Sequence, residues 1–295
     1  MLLNASGCLD ALTAPDVARS LDAFVTKTVT PLPREGNEPV RIAETEHGML
    51  NSIGLQNPGI DQFLSSVLPR LRRLELPIWV SVGGFSAADY ALCVEALDGH
   101  DEVVTIELNL SCPNVDEAPE SAAEIVSACR TATSLPLYAK LSPALPDITE
   151  VARAVEAAGA DGLSLVNTIR GVALDERTLR PILARGAGGY SGPALKPIAL
   201  AAVHACKRAT DLPIVGMGGV WNGRDALELI AVGASAVALG TVLFTDPGAP
   251  VRVREELRSA AESLGIDDPW EAVGIAHEAE MSTQTTAKTA AYQPN

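Results

Sequence analysis

The chain has 295 residues, with 22 Lys and Arg against 37 Asp and Glu, so its formal net charge is −15. Such an acidic chain repels polyanions, which argues against nucleic acid or an anionic membrane surface as its main partner. No apolar run approaches the roughly 20 residues of a membrane helix, and the N-terminus lacks a signal-peptide pattern, so we expect a cytoplasmic protein. The five cysteines are odd in number and include no C-x-x-C pair, so they indicate neither a disulfide framework nor a metal site.

Short apolar runs recur along the chain, with helix-like stretches between most of them. This alternation predicts an α/β fold, a (β/α)8 barrel with its active site at the carboxyl ends of the strands. Caps mark the helical stretches: one begins at Asp147 and stops at Gly159, and another begins at Asn222 and stops at Gly233. The eight runs lie near residues 2–5, 23–29, 77–83, 105–111, 136–142, 162–167, 213–217 and 236–240.

Two connections, residues 30–57 and 168–195, are too long to be simple turns of such a barrel. Long loops inside a compact domain are usually functional, so we expect both to contribute to the site. The stretch 281–295 is rich in Thr, Ala and Gln and has no periodicity, so it is predicted to be disordered. Residues 1–280 are then the barrel domain.

The most informative stretch runs from Ile106 to Asn114. It is a β-like segment that ends in two amides, a hydroxyl and a thiol, and Pro113 prevents the strand from continuing. Asn109 and Asn114 each offer a donor and an acceptor, which suits a planar ligand with amide or imide groups. Cys112 can act as a base when its thiol is ionised, although a free cysteine is more often an inert small hydrophobic residue.

Other strand ends place cationic residues and glycines at the same rim. Lys27 and Lys140 end strands whose surroundings offer little water, so we expect them to face an anionic ligand rather than bulk solvent. Gly218, Gly219 and Gly240 end the last two runs, the usual phosphate position of such barrels, where bare backbone lets N–H groups approach phosphate. Tight turns alone would also explain any one of these glycines. Together they predict a phosphate-bearing ligand.

An ordered set of short motifs extends over nearly the whole chain. The motifs are Asn4-Ala-Ser-Gly7, Lys27-Thr28, Asn51 to Asn57, Asn109 to Asn114, Lys140-Leu-Ser-Pro143, Val166-Asn-Thr168, Gly188 to Pro193, Gly218-Gly219 and Gly240-Thr241. In this order they resemble the class 1 dihydroorotate dehydrogenases, which are FMN-containing barrels of pyrimidine synthesis. Cysteine rather than serine at position 112 favours class 1 over class 2. The NAD-linked subclass 1B is the more similar one, on Glu35-Gly-Asn37, Glu44-Thr45 ahead of Gly48-Met49, and Ser191-Gly-Pro193 ahead of Lys196-Pro197.

The resemblance implies FMN-dependent oxidation of (S)-dihydroorotate to orotate. Cys112 would remove a proton from C5 while a hydride passes from C6 to N5 of the flavin. Lys140 would lie where negative charge accumulates on the reduced flavin, and Lys27 would neutralise the substrate carboxylate. The implied substrate-binding residues are Lys27, Asn51, Ile53, Gly54, Leu55, Asn109, Asn114, Asn167 and Thr168. The implied cofactor-binding residues are Ala5, Ser6, Gly7, Lys27, Thr28, Asn109, Lys140, Val166, Gly192, Gly218, Gly219, Gly240 and Thr241.

The resemblance also implies a homodimer and, for the NAD-linked subclass, a second subunit that carries FAD and an iron–sulfur cluster. This sequence has neither a dinucleotide fingerprint nor cluster-spaced cysteines, so the electron acceptor, NAD through a partner or fumarate, stays open. One alternative is a related FMN barrel that reduces another pyrimidine. Another is a non-catalytic flavoprotein subunit, which two departures from the family pattern motivate. The chain begins almost directly at Leu2, without the strand pair that usually closes the barrel floor, and segment 115–119 is shorter and more acidic than the family's Gly-rich lid.

Overall fold

The computed structural model describes residues 1–110 and 122–277. Cys112, Asn114, segment 115–119 and the stretch 281–295 lie outside the described residues. In chain order the strands of the described part are β1 (Leu2–Asn4), β2 (Phe24–Val25), β3 (Ile42–Thr45), β4 (Gly48–Asn51), β5 (Ile78–Val82), β6 (Val103–Asn109), β7 (Leu137–Leu141), β8 (Gly162–Leu165), β9 (Ile169–Gly171), β10 (Gly188–Ser191), β11 (Ile214–Met217) and β12 (Ala236–Leu239).

Helices follow most of the strands, and the two predicted caps are confirmed. The Asp147 side chain accepts backbone N–H bonds at the start of its helix, and Asn222 forms a capping box with Asp225. No helix within the described ranges combines the length and the apolar character that crossing a bilayer requires. The α-helices are α1 (Pro15–Arg19), α2 (Ile60–Gln62), α3 (Leu68–Leu71), α4 (Ala87–Leu97), α5 (Ala122–Ala132), α6 (Ile148–Ala157), α7 (Lys196–Ala209), α8 (Gly223–Ala231), α9 (Val242–Thr245) and α10 (Ala249–Glu262). A π-helical turn (Phe63–Val67) and 3-10 turns (Arg72–Leu74, Pro193–Leu195, Pro269–Ala272) complete the helical elements of this part.

Eight parallel strands form the barrel, in the order β1-β12-β11-β8-β7-β6-β5-β2. Each of the eight predicted runs overlaps one of these strands, so the predicted (β/α)8 barrel is confirmed. A parallel bridge between Leu3 and Ala23 joins β1 to β2. Asn4 strengthens this closure, because its amide donates to the Val25 carbonyl at 2.7 Å and accepts from the Val25 N–H at 2.9 Å. The fully buried Asn4 side chain thus supplies pairing that the two short strands do not.

Side chains of the barrel strands alternate between the barrel interior and the layer under the helices. Large aliphatic residues such as Ile106 and Leu108 are buried against the helices. At the amino ends of β5 and β7, Trp79 packs inside the barrel on Tyr138, with ring centroids 4.7 Å apart. Gly162 leaves room for this pair, because a Cβ there would lie 2.3 Å from the Tyr138 ring. Aromatic packing therefore fills the floor and leaves the opposite end available for a site.

The two long connections pair with each other as a second, antiparallel sheet in the order β3-β4-β10-β9. Strand β4, from residues 30–57, pairs with β10, from residues 168–195, and sets Asn51 opposite Gly189. A small apolar cluster of Ala43, Leu50 and Leu183 is buried in this part of the fold. This sheet adds a wall to the carboxyl end of the barrel and fixes the position of Asn51.

Candidate active site

A cavity of about 270 Å³ lies at the carboxyl ends of the barrel strands, between the barrel rim and the antiparallel sheet. The fold brings together around it every predicted site residue of the described part of the chain, while Cys112 and Asn114 lie outside that part. These lining residues are Ala5, Ser6, Gly7, Lys27, Thr28, Asn51, Ile53, Gly54, Leu55, Asn109, Lys140, Val166, Asn167, Thr168, Gly192, Gly218, Gly219, Gly240 and Thr241.

Asn109, at the end of β6, is the centre of a hydrogen-bonded network on one wall. Its Nδ2 donates to Thr28 Oγ1 at 3.2 Å, and its Oδ1 accepts from Asn167 Nδ2 at 3.1 Å. The Thr28 hydroxyl lies 3.0 Å from that of Ser81, and the Tyr90 hydroxyl donates to the Asn109 carbonyl at 2.7 Å. Among the described residues, these bonds use one of the two N–H groups and one of the two acceptor positions of the amide. The network therefore orients Asn109 while leaving it capacity for a ligand.

Two further asparagine amides are oriented in the same way. Asn167 Oδ1 accepts from the Thr168 backbone N–H at 2.8 Å, and Asn51 Nδ2 donates to the Gly189 carbonyl at 3.3 Å. Both residues line the cavity, Asn167 from the barrel and Asn51 from the antiparallel sheet. Amides held in fixed orientations on two walls suit a planar ligand whose edge alternates C=O and N–H groups.

Lys27 follows β2 and extends an exposed side chain into the cavity. It makes no hydrogen bond or ion pair within the described ranges. Removal of water by the surrounding walls lowers the pKa of Lys27 below its ordinary value, and the charge of Arg41 lowers it further. Arg41 is itself held by Gln56 Oε1 at 3.0 Å and by the Glu35 carbonyl at 3.2 Å. An anionic ligand beside Lys27 would offset this repulsion and favour its charged form.

Lys140, on β7, lies within a buried ion pair. Its Nζ is 3.3 Å from Glu107 Oε1 and 2.9 Å from Ser6 Oγ. The side chains of Lys140 and Glu107 are only 5% and 2% exposed. Glu107 is not among the site residues predicted from the sequence, because the apolar residues on either side of it indicate only a strand. One signal could have identified it, because Glu107 is the only charged residue in β6.

Glycines from the ends of β11 and β12 also line the cavity. Gly218 and Gly219 have φ angles of +119° and +77°, and a Cβ on Gly219 would lie 2.5 Å from the Lys196 backbone nitrogen, so both turns require glycine. Gly240 differs, because a Cβ there would meet only the Ala5 Cβ at 3.7 Å and the Cys8 Sγ at 3.8 Å. Protein packing does not require glycine at position 240. Bare backbone facing an open cavity fits the phosphate-bearing flavin that the sequence predicts.

Some lining residues were not predicted from the sequence, among them Cys8, Trp221 and Phe244. Burial raises the pKa of the Cys8 thiol, although the charges of Lys140 and Lys27 oppose the shift, so Cys8 is a neutral part of the wall at neutral pH. The rings of Trp221 and Phe244 are 38% and 53% exposed at the rim. Nothing in the sequence distinguishes these residues from ordinary core or surface positions.

A family model described as dihydroorotate dehydrogenase matches residues 1–260. The chain is 44% identical over 261 residues to the catalytic subunit of dihydroorotate dehydrogenase B (NAD(+)) from Bacillus mycoides strain KBAB4, which covers 86% of this chain and 84% of that protein. The protein of the same name from Listeria monocytogenes is 45% identical over 253 residues, 83% of each chain. The crystal structure of a dihydroorotate dehydrogenase from Eimeria tenella in complex with ferulenol matches with a TM-score of 0.79 at 24% identity, covering 94% of this chain and 85% of that one.

The structural match supports the barrel fold, and the family model and the bacterial relatives establish the family. The predicted resemblance to class 1, and within it to the NAD-linked subclass 1B, is confirmed. The chain therefore belongs to the dihydroorotate dehydrogenase family, FMN-dependent oxidoreductases of pyrimidine biosynthesis that convert dihydroorotate to orotate.

Proposed function

We propose that this chain is a catalytic subunit that binds FMN in its cavity and oxidises (S)-dihydroorotate to orotate there. The observation that carries the proposal is the position of the Lys27 ammonium, which has no acidic partner within the described ranges and lines the same cavity as three oriented asparagine amides. The substrate has the matching groups, a carboxylate and a ring edged with C=O and N–H groups. One molecule of dihydroorotate can therefore satisfy both the lysine charge and the asparagine amides.

In this proposal Lys27 pairs with the substrate carboxylate, and Asn51, Asn109 and Asn167 orient the ring. Asn109 needs no reorganisation when the substrate arrives, because Thr28 already fixes its amide. Because the amide is already oriented, less entropy is lost when substrate and protein reach the reactive geometry. Asn114, outside the described residues, is proposed as the fourth amide. Ile53, Gly54, Leu55 and Thr168 line the cavity and complete the proposed substrate site.

FMN, when bound, supplies the acceptor for the hydride that leaves the substrate. The residues proposed to hold it are the cavity-lining cofactor set predicted from the sequence. Gly218, Gly219 and Gly240 provide close backbone approach for its phosphate, and Lys140 provides fixed positive charge where negative charge would develop. A preorganised charge in a site with little water is worth far more than the same charge in water.

Cys112 is proposed as the general base that takes the C5 proton on its Sγ. A thiol with an ordinary pKa near 8.5 is only slightly ionised at neutral pH, so proton transfer must be coupled to substrate binding or assisted by a lowered pKa. Cys8 is no substitute, because burial raises the pKa of its thiol. The base assignment rests on the resemblance of the motif around residue 112.

We also propose that the chain works in the cytoplasm as a homodimer with a second subunit, which carries FAD and an iron–sulfur cluster and passes electrons to NAD⁺. The support is the name of the bacterial relatives, which are catalytic subunits of NAD(+)-type enzymes. The test is to measure whether NAD⁺ or fumarate reoxidises the reduced chain, with and without a co-purifying partner. Oxidation by fumarate without any partner would contradict this part of the proposal.

Turnover with an artificial electron acceptor tests the catalytic proposal without the partner. Purified FMN-loaded chain is incubated with dihydroorotate and dichlorophenolindophenol, and orotate is quantified. We expect orotate formation that is saturable in dihydroorotate and competitively inhibited by orotate. A folded, FMN-loaded chain that forms no orotate would refute the proposed function.

A further inference from the structure

The buried pair of Glu107 and Lys140 is the one ion pair of the described residues in which both side chains are less than a tenth exposed. Removing either charge would leave the other buried without a counterion, which is strongly unfavourable. Within the described ranges no second carboxylate lies within ion-pair distance of Lys140. Glu107 is therefore the only counterion of Lys140 among the described residues.

The pair is asymmetric with respect to the cavity. Lys140 and Ser6 line the cavity, whereas Glu107 does not and lies behind the ammonium in the barrel interior. The ammonium is thus held between a carboxylate on β6 and a hydroxyl from the loop after β1, with distances of 3.3 and 2.9 Å. Partners from two elements therefore restrict the position of Nζ, and the positive member of the pair is the one that lines the cavity.

Other groups around Lys140 do not replace the carboxylate. On β8, Ser164 is opposite Lys140 in register, and its buried hydroxyl has no hydrogen-bond partner in the described structure. Cys8, after β1, has a raised thiol pKa and is neutral at neutral pH. Lys27, after β2, lines the same cavity, and the charges of both lysines act on the Cys8 thiol. The titratable and charged neighbours are therefore one carboxylate, one neutral thiol and one second ammonium.

We propose that Glu107 is a positioning residue of the reaction, whose carboxylate keeps the Lys140 ammonium charged and fixed at the cavity wall. The inference rests on the proposed function, because Lys140 is given its role there toward the bound flavin. Glu107 touches neither substrate nor cofactor in this proposal and acts only through Lys140. Its removal should therefore change the charge of Lys140 rather than the shape of the cavity.

The first test follows the ionisation of Lys140 directly. Lysine is labelled with ¹³C at Cε, and the Lys140 resonance is identified by its loss in Lys140→Met. We expect the midpoint of the Lys140 titration in Glu107→Gln to fall by about 1–3 pH units below the wild-type midpoint, the range typical of losing a close opposite charge. A wild-type midpoint in a folded Glu107→Gln chain would overturn the proposal.

The second test measures the flavin reduction potential against pH. Below the new Lys140 midpoint, Glu107→Gln should have at least the wild-type potential, and above it the potential should fall to that of Lys140→Met. Adding Glu107→Gln to Lys140→Met should change the potential no further. An unchanged potential in Glu107→Gln at every pH, or an additive effect in the double variant, would contradict an action through Lys140.

Glu107→Asp covers the case in which the glutamine variant does not fold. Aspartate keeps the charge but withdraws it by one methylene, so the Lys140 midpoint should fall in the same direction and by less. An unchanged midpoint in Glu107→Asp would also overturn the proposal. None of these readouts uses dihydroorotate, and the NMR titration does not need FMN. A chain that failed to oxidise dihydroorotate would therefore refute the proposed function without deciding this inference.

Discussion

Replacing Lys27 by methionine removes the ammonium and keeps the length and the apolar stem of the side chain. No described carboxylate depends on Lys27, so the substitution leaves no orphaned charge within the described ranges. The walls already penalise the charged form, as the lowered pKa of Lys27 indicates. We therefore expect a folded chain of wild-type stability or slightly better, in which any loss reports on ligand binding.

The size of the loss follows from the hydrogen bond that Lys27 is proposed to make. A hydrogen bond to a charged group contributes about 1.5–3 kcal/mol, so Lys27→Met should weaken orotate binding by about 10- to 150-fold. Orotate is titrated into the FMN-loaded chain, and the change in flavin absorbance gives the Kd. Wild-type affinity for orotate in Lys27→Met would refute the assignment of the carboxylate site.

Lys196→Met is the matched control. The Lys196 ammonium is already paired with Asp225 at 2.7 Å and with Glu228 at 3.0 Å, and Lys196 is not among the residues that line the cavity. It should therefore retain wild-type orotate affinity even if its stability decreases. An equal loss of affinity in both variants would mean that total charge, rather than the position of Lys27, governs binding.

The same site predicts a pH dependence with a definite sign. Loss of water contact at the cavity walls places the pKa of Lys27 below its ordinary value, so the ammonium loses its proton at a lower pH than a fully hydrated lysine. Orotate affinity should be constant at neutral pH and fall on the alkaline side, and this fall should be absent in Lys27→Met. Persistence of the alkaline loss in the variant would assign it to another group.

Three further predictions concern closure of the barrel, the cofactor wall and the base. Asn4→Ala leaves the buried N–H and C=O of Val25 without their side-chain partner. The free energy of unfolding should therefore fall by about 1–3 kcal/mol for each group. Urea unfolding that matches the wild type would refute the role of Asn4 in closing the barrel. The methyl group added by Gly240→Ala would make only ordinary van der Waals contacts within the protein, so the Tm should not change. FMN affinity should fall about tenfold or more, because the methyl group occupies cavity space. Wild-type FMN affinity, measured by flavin fluorescence, would place the cofactor elsewhere. Cys112→Ala should retain FMN but lose about 10²–10⁴-fold in the rate of dihydroorotate oxidation, and an unchanged rate of flavin reduction would exclude the thiol as base.

The barrel and much of its site could be predicted from the sequence for a physical reason. Parallel strands alternate with capped helices such as the one that begins at Asp147, and both signals are local. The carboxyl ends of all eight strands meet at one rim, so the order of the runs was sufficient to expect Lys27, Asn109 and Lys140 near one another. Roles toward substrate and cofactor came from the resemblance and remain predictions.

Features that depend on distant pairing could not be predicted. The antiparallel sheet joins segments as far apart as Asn51 and Gly189, whose side-chain to backbone bond spans 138 positions, and its short strands have no clear alternation. Glu107 was not predicted because its neighbours in β6, Ile106 and Leu108, are apolar core residues. They give the segment the appearance of an ordinary buried strand, and the sequence alone does not show that Glu107 points into the barrel. Asn4 was recognised only as part of a motif. Its hydrogen bonds to the Val25 backbone, which join β1 to β2, connect residues that only the fold brings together.

Anaerobic mixing of the FMN-loaded chain with excess dihydroorotate is the most direct measurement of the central claim, that one cavity holds flavin and substrate together. We predict rapid loss of the visible flavin absorbance in the wild type, with saturation in dihydroorotate that shifts to higher concentration in Lys27→Met. Bound flavin that stays fully oxidised at saturating dihydroorotate would contradict the claim.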